Sequence, residues 1–150
     1  MSGRVDFYVL NTHEPRDRWR FACRLTAKAY LKDLRVIVWS DNEPDAKLID
    51  DLLWTVDERA FVPHQLSRDA ELADRTTPVH VTVGLGPVDD ADLLVNLTDR
   101  LPEGLARFAR IAEIIDSDPE RRRLGRERFK TYRDGQMTLE THQLADAAEV

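Results

Sequence analysis

The residues best suited to chemistry in this sequence sit close together near its end. Residues 119–133 hold seven basic side chains (Arg121, Arg122, Arg123, Arg126, Arg128, Lys130, Arg133) and two acidic ones (Glu120, Glu127), a net of +5. The rest of the 150-residue chain holds 15 basic and 26 acidic groups, a net of −11. At about 100° per residue, a helix through this stretch aligns Arg122, Arg126, Lys130 and Arg133 in one stripe within about 80°. Phe129 borders the stripe, and Leu124, Gly125, Thr131 and Tyr132 face the other way, towards a core. Guanidinium and ammonium groups edged by an aromatic ring suit an acidic peptide with an apolar end. Its carboxylates would meet Arg and Lys, and its terminal side chain would lie beside Phe129. The same pattern also describes a solvated helix with Arg on its wet face.

Other chemistry is thinly represented. Asp6 lies inside an apolar stretch, Asp41 follows another, and Asp89, Asp90 and Asp92 precede a third, so carboxylates at strand ends could hold Mg²⁺ in a small hydrolase or nuclease. With 28 acidic residues, the same placement also describes a solvated acidic surface. One cysteine, Cys23, and four scattered histidines, His13, His64, His80 and His142, are too few and too dispersed for a structural zinc site. No Ser or Cys sits in a nucleophile elbow. Asn11-Thr12-His13-Glu14-Pro15, the first strand-to-helix connection, has no glycine to let a backbone approach a pyrophosphate. Gly84-Leu85-Gly86-Pro87 lacks the Lys and Ser/Thr of a phosphate loop and reads as a turn. The readings therefore name no cofactor and no catalytic residue.

The elements that would carry these residues follow from periodicity and punctuation. Apolar runs predict strands at residues 5–10, 34–39, 79–83, 93–97 and 111–115. Helices are expected over residues 15–32, 43–55, 102–109 and 118–134, with Ser40, Asp41 and Asn42 as N-cap candidates before Pro44 in a first turn, Asp118 at a helix start and Gly135 at a C-cap. Phe61-Val62-Pro63-His64 is short and apolar with a proline that argues against a central strand, and residues 67–77 read as a loop. The order predicts one α/β domain over residues 1–141, a mostly parallel Rossmann-like sheet covered by helices on both faces, with residues 142–150 as a mobile tail. Composition agrees: 42% hydrophobic residues exclude wholesale disorder, and no apolar run reaches the roughly 18 residues of a membrane span. A net charge of −6 argues against general nucleic-acid binding, and a lone cysteine without an export signal fits a reducing cytoplasm.

Several stretches together carry a resemblance. They are Asp6-Phe7-Tyr8-Val9-Leu10, Phe21-Ala22-Cys23-Arg24-Leu25 with Lys28-Ala29-Tyr30, Leu52-Leu53-Trp54, Phe61-Val62-Pro63-His64, Leu94-Val95-Asn96-Leu97, and Arg126 to Arg133 with Gly135. In these the chain resembles the chi subunit of bacterial DNA polymerase III, the clamp-loader accessory protein, along nearly its full length. The resemblance implies a Rossmann-like fold without nucleotide or catalysis. It implies an adaptor at the cytoplasmic, nucleoid-associated replisome that binds the acidic C-terminal tail of single-stranded-DNA-binding protein. Matched by position, the tail-binding residues would be Arg126, Phe129, Lys130 and Arg133. It further implies an interface for a psi subunit or the clamp loader at Trp54, Phe61, Val62, Pro63 and His64; for Trp54 and Phe61, ordinary core packing is the competing reading.

Overall fold

The computed structural model describes residues 3–56, 61–69, 76–84, 91–103 and 108–144. Ten elements follow in order: β1 (Arg4–Leu10), α1 (Pro15–Leu31), β2 (Val36–Trp39), α2 (Glu43–Leu53), β3 (His64–Asp69), β4 (Val79–Gly84), β5 (Leu93–Asn96), β6 (Arg110–Ile115), α3 (Pro119–Asp134) and β7 (Thr138–Leu144). The strands form one sheet in the order β3-β4-β2-β5-β6-β1-β7, and every pairing is parallel. The mostly parallel Rossmann-like sheet expected from the sequence is thus an all-parallel one. Among the described residues, no helix is long and apolar enough to cross a membrane.

Local chemistry explains the helix boundaries. Pro15, Pro44 and Pro119 each sit in a first turn, where no amide hydrogen is needed. Asn42 Oδ1 accepts from the Asp45 amide (2.9 Å) and Asp118 Oδ2 from the Arg121 amide (2.8 Å), satisfying helix-start donors. At the end of α3 the expected Gly135 is the cap, yet the left-handed residue is the next one, Gln136 (φ 62°). Met137 N–H then donates to the Tyr132 carbonyl (3.1 Å) and turns the chain into β7.

Two apolar layers hold the sheet. On one face α1 and α2 cover Leu10, Val36, Val38, Val95 and Ile114; on the other, Val5, Phe7, Ile37, Leu94 and Ile111 cluster with Phe108 and with Tyr132 of α3. Central strands β2, β5 and β6 are buried on both faces, as parallel strands between helices must be.

Two strands depart from the sequence reading. β3 takes up residues 64–69, including the start of the expected loop; it is an edge strand, and Pro63 lies just before it where no ladder donor is lost. β7 takes up Thr138–Leu144, so residues 142–144 of the expected tail belong to the sheet, while residues 145–150 lie outside the described residues. The helix expected at 102–109 falls mostly on residues 104–107, which also lie outside them.

Candidate functional site

α3 lies over the sheet where β6, β1 and β7 run side by side, and it does not cover them completely. A groove of about 240 Å³ remains. Its floor is Phe7 and Val9 of β1 with Ile115 of β6, one wall is Arg122, Gly125, Arg126 and Phe129 of α3, and the other is Thr141 and Gln143 of β7. Small-molecule sites run from roughly 300 to 1,000 Å³, so this volume suits one or two side chains better than a whole ligand. The groove exists because its floor residues alternate on one face of parallel strands, and because Gly125 lets α3 come close. A Cβ on Gly125 would stand 2.9 Å from Ile115 Cδ1.

Rotation of α3 is fixed from below. Glu113 on β6 is fully buried and accepts from Arg128 Nε (3.2 Å) and Nη2 (3.1 Å), from Tyr132 O–H (2.5 Å) and from Asn96 Nδ2 (3.0 Å). Burial, followed by the Glu113 charge, pushes the Tyr132 hydroxyl well above its ordinary range, so it stays a donor. With Arg128, Tyr132 and Gly125 turned inward, Arg122, Arg126 and Phe129 line the groove. Thr131, expected to face the core, is exposed, and Leu124 is half-buried.

The island of basic residues is largely neutralised. Arg128 pairs with Glu113, Arg121 with Asp116 (2.9 Å), Arg123 with Glu120 and Glu127, and Arg133 with Asp134 (3.7 Å). Burial alone would raise the Asp116 carboxyl, but Arg121 and the Asp118 amide outweigh it and hold it below its ordinary value. Arg122 donates to the Asp116 carbonyl (2.9 Å). Arg126 and Lys130 are exposed, and among the described residues neither has a carboxylate partner. Of the four residues expected to bind the tail, Arg126 and Phe129 line the groove; Lys130 and Arg133 stand outside its lining. Arg122 belongs to the groove and was visible as a member of the stripe. Phe7, Val9, Ile115, Thr141 and Gln143 carried no signal, since three separate strands contribute them.

The second expected surface divides in two. Trp54 (55% exposed) and Phe61 (65%) pack as a tilted pair with ring centroids 5.4 Å apart, and Leu66 is also exposed. Val62 is buried in the core and Pro63 is half-buried. The His64 side chain has no exposure: Nδ1 donates to the Val62 carbonyl (2.7 Å), and Nε2 lies 3.2 Å from both the carbonyl and a carboxylate oxygen of Asp50. His64 therefore supports the patch from below, with its ring 4.4 Å from Trp54, while Trp54 and Phe61 form its surface.

Of the carboxylates weighed for a metal, Asp89 and Asp90 lie outside the described residues, and Asp6, Asp41 and Asp92 do not converge. Asp92 stands at the amino end of the sheet, accepting from the Arg35 amide before β2 (2.8 Å), while Asp41 follows the carboxyl end of β2. Asp6 lies mid-strand, flanked by Ala112 and Glu140. Donor atoms of Asp6, Glu140 and His142 do come within 4.8 Å of one another. A guanidinium already sits among them, because Arg4 bonds both Asp6 and Glu140, and Arg110 Nε donates to Asp6 (2.7 Å). At the carboxyl ends of β1, β5 and β6, the end of the sheet where doubly wound folds take ligands, the chain bonds to itself. Ser117 N–H donates to the Thr12 carbonyl (2.8 Å), and buried Arg18 donates to the carbonyls of Ile114 (3.1 Å) and Leu97 (3.3 Å).

Comparisons with known proteins agree with one another. The sequence profile of the family described as DNA polymerase III chi subunit, HolC, matches residues 1–140. The chain is 35% identical to the DNA polymerase III subunit chi of Pseudomonas aeruginosa over 141 residues, covering 94% of this chain and 96% of that one. It is 30% identical to that of Haemophilus influenzae over 134 residues, 89% and 92% of the two chains, and 24% identical to that of Escherichia coli over 140 residues, 90% and 94%. Among solved structures, T4 UvsW superposes with a TM-score of 0.65 at 12% identity over 95% of this chain and 41% of that one. Yeast Dbp5 bound to Gle1 and IP6 superposes at 0.64 with 10% identity, covering 95% and 42%. At such identities these two share the fold alone. The family match over nearly all of the sequence leaves one conclusion: the chain belongs to the DNA polymerase III chi subunit family.

Proposed function

We propose that the chain is a non-catalytic adaptor of the bacterial replicase, which holds the acidic C-terminal tail of single-stranded-DNA-binding protein in the groove between α3 and β7 and links it to the clamp loader. The observation that carries this reading is a small apolar groove walled by Arg122, Arg126 and Phe129, with Lys130, the residue after Phe129, exposed and without a carboxylate partner among the described residues. An apolar terminal side chain enters over Phe7, Val9 and Ile115, and its carboxylate meets Arg126. Charge-assisted hydrogen bonds contribute about 1.5–3 kcal/mol when desolvated and less on an open surface. A short peptide buries little area, so affinity is expected on the order of micromolar, about −8 kcal/mol. In calorimetric titration with the tail peptide, Arg126→Ala and Phe129→Ala should each weaken binding roughly tenfold, and Lys130→Glu somewhat less. Unchanged affinity in all three variants, with circular dichroism unaltered, would place the site elsewhere.

The Trp54–Phe61 pair supports a second reading at a separate surface. Two large exposed rings supported by a buried histidine make an apolar patch of the kind that takes a protein partner. A psi subunit, or the clamp loader directly, is the partner the family suggests, with Trp54 and Phe61 as contacts.

A further inference from the structure

The groove opens onto the outer edge of the last strand of the sheet, and the two share residues. β7 ends the strand order, with β1 as its one neighbour. In a parallel strand, successive residues turn their N–H and C=O groups to opposite sides. Thr138 N–H donates to the Gly3 carbonyl (3.0 Å), so Thr138, Glu140, His142 and Leu144 face β1. The main-chain groups of Leu139, Thr141 and Gln143 therefore face outward, and among the described residues nothing bonds them. Thr141 and Gln143 are also the side chains that line the groove.

Charge allows an acidic strand here. Glu140 is the one acidic side chain in residues 138–144, and it projects to the opposite face, where Arg4 holds it. The charged residues among those lining the groove are Arg122 and Arg126. An extended peptide anchored in the groove leaves it past Gln143 and meets donors and acceptors at every second residue, the spacing of its own backbone.

We propose that the acidic peptide, beyond its anchored end, pairs with the outer edge of β7 as an eighth strand. The inference rests on the proposed peptide-binding reading and adds how the rest of the peptide is held. Main-chain pairing would contribute affinity without reading sequence, and the groove would select the end.

The test uses the full chain and a synthetic acidic peptide ending in an apolar residue with a free carboxylate. N-methyl groups are placed on one peptide amide at a time. Strand pairing predicts affinity losses of roughly fivefold or more at alternate positions and little change between them, since about 1 kcal/mol per lost bond corresponds to that factor. Amide hydrogen exchange on the unmodified chain should slow at Thr141 and Gln143 when peptide is added. Gln143→Pro, which removes an outward donor at an edge position that tolerates proline, should weaken the long peptide several-fold more than Gln143→Ala, which removes the same side chain and keeps the donor. Peptide binding that depends on Arg126 but shows no alternation and no slowed exchange overturns the edge pairing while preserving the groove. Loss of all peptide binding by the native chain overturns the groove reading itself. Slowed exchange that follows protein concentration and ignores peptide means that β7 edges pair two copies of the chain, and that also overturns the proposal.

Discussion

Asp6 has no exposure to water, and its carboxylate is held by three groups: Arg4 (2.9 Å), Arg110 (2.7 Å) and His142 Nε2 (3.0 Å). Burial alone would raise its pKa, but the bonds from Arg4, His142 and Arg110 outweigh that and hold it below the ordinary value. A carboxyl lowered in the folded state contributes stability that is complete above its unfolded pKa of about 4 and is lost as pH falls through the folded value. Asp116, also lowered, acts in the same direction. In urea titrations at neutral pH, Asp6→Asn should cost about 1–2 kcal/mol, moderated because Arg4 and Arg110 are themselves partly in water. Its deficit should begin to shrink below about pH 4, where the unfolded chain takes up the proton, and should close as pH falls through the lowered folded value. A deficit constant down to pH 2 would mean that packing, not charge, ties Asp6 in place. The sequence showed Asp6 as a carboxylate inside an apolar strand; the three partners, from β1, β6 and β7, became visible only with the strand order.

α3 is where reading from sequence went furthest. Its bounds, its Asp118 start and the Arg126–Phe129 side all follow from 3.6-residue periodicity and cap chemistry. Arg128 could not be placed that way, because its burial depends on Glu113, which lies on another element. β7 escaped for the opposite reason. Thr138-Leu139-Glu140-Thr141-His142-Gln143-Leu144 has apolar residues at positions facing opposite sides of the sheet, so no alternation signals a strand; its identity comes from pairing along all of β1. Gly125 gives the element-scale prediction. Gly125→Ala gains about 1 kcal/mol of helix propensity but presses Ile115 Cδ1, the flexible end of a side chain lining the groove. Stability should stay within about 1 kcal/mol of the native chain, while peptide affinity falls several-fold as Ile115 moves into the groove. Gly125→Val has no such escape and should cost about 1–3 kcal/mol by urea unfolding. Full affinity in Gly125→Ala would show that Ile115 is not part of the contact surface.

At the scale of the whole molecule, the alternation of strand and helix was enough to give a parallel sheet with helices on both faces, but not its strand order. That order puts the first strand between the last two: Arg4 lies beside Arg110 on one side and Thr138 on the other. The consequence concerns time. During synthesis β1 leaves the ribosome first, with Val5, Phe7 and Leu10 destined for full burial, and neither neighbour exists until most of the chain has been made. At about 5–20 residues per second that delay is of the order of ten seconds. Pairing so distant in sequence is slow to nucleate, so refolding from denaturant should fall in the millisecond-to-second range. Nascent chains stalled before β6 has emerged should remain open to protease along β1, and protection should arrive only when β7 is free of the exit tunnel. Early protection of β1 in the shorter nascent chains would mean that the amino-terminal half finds a temporary partner of its own.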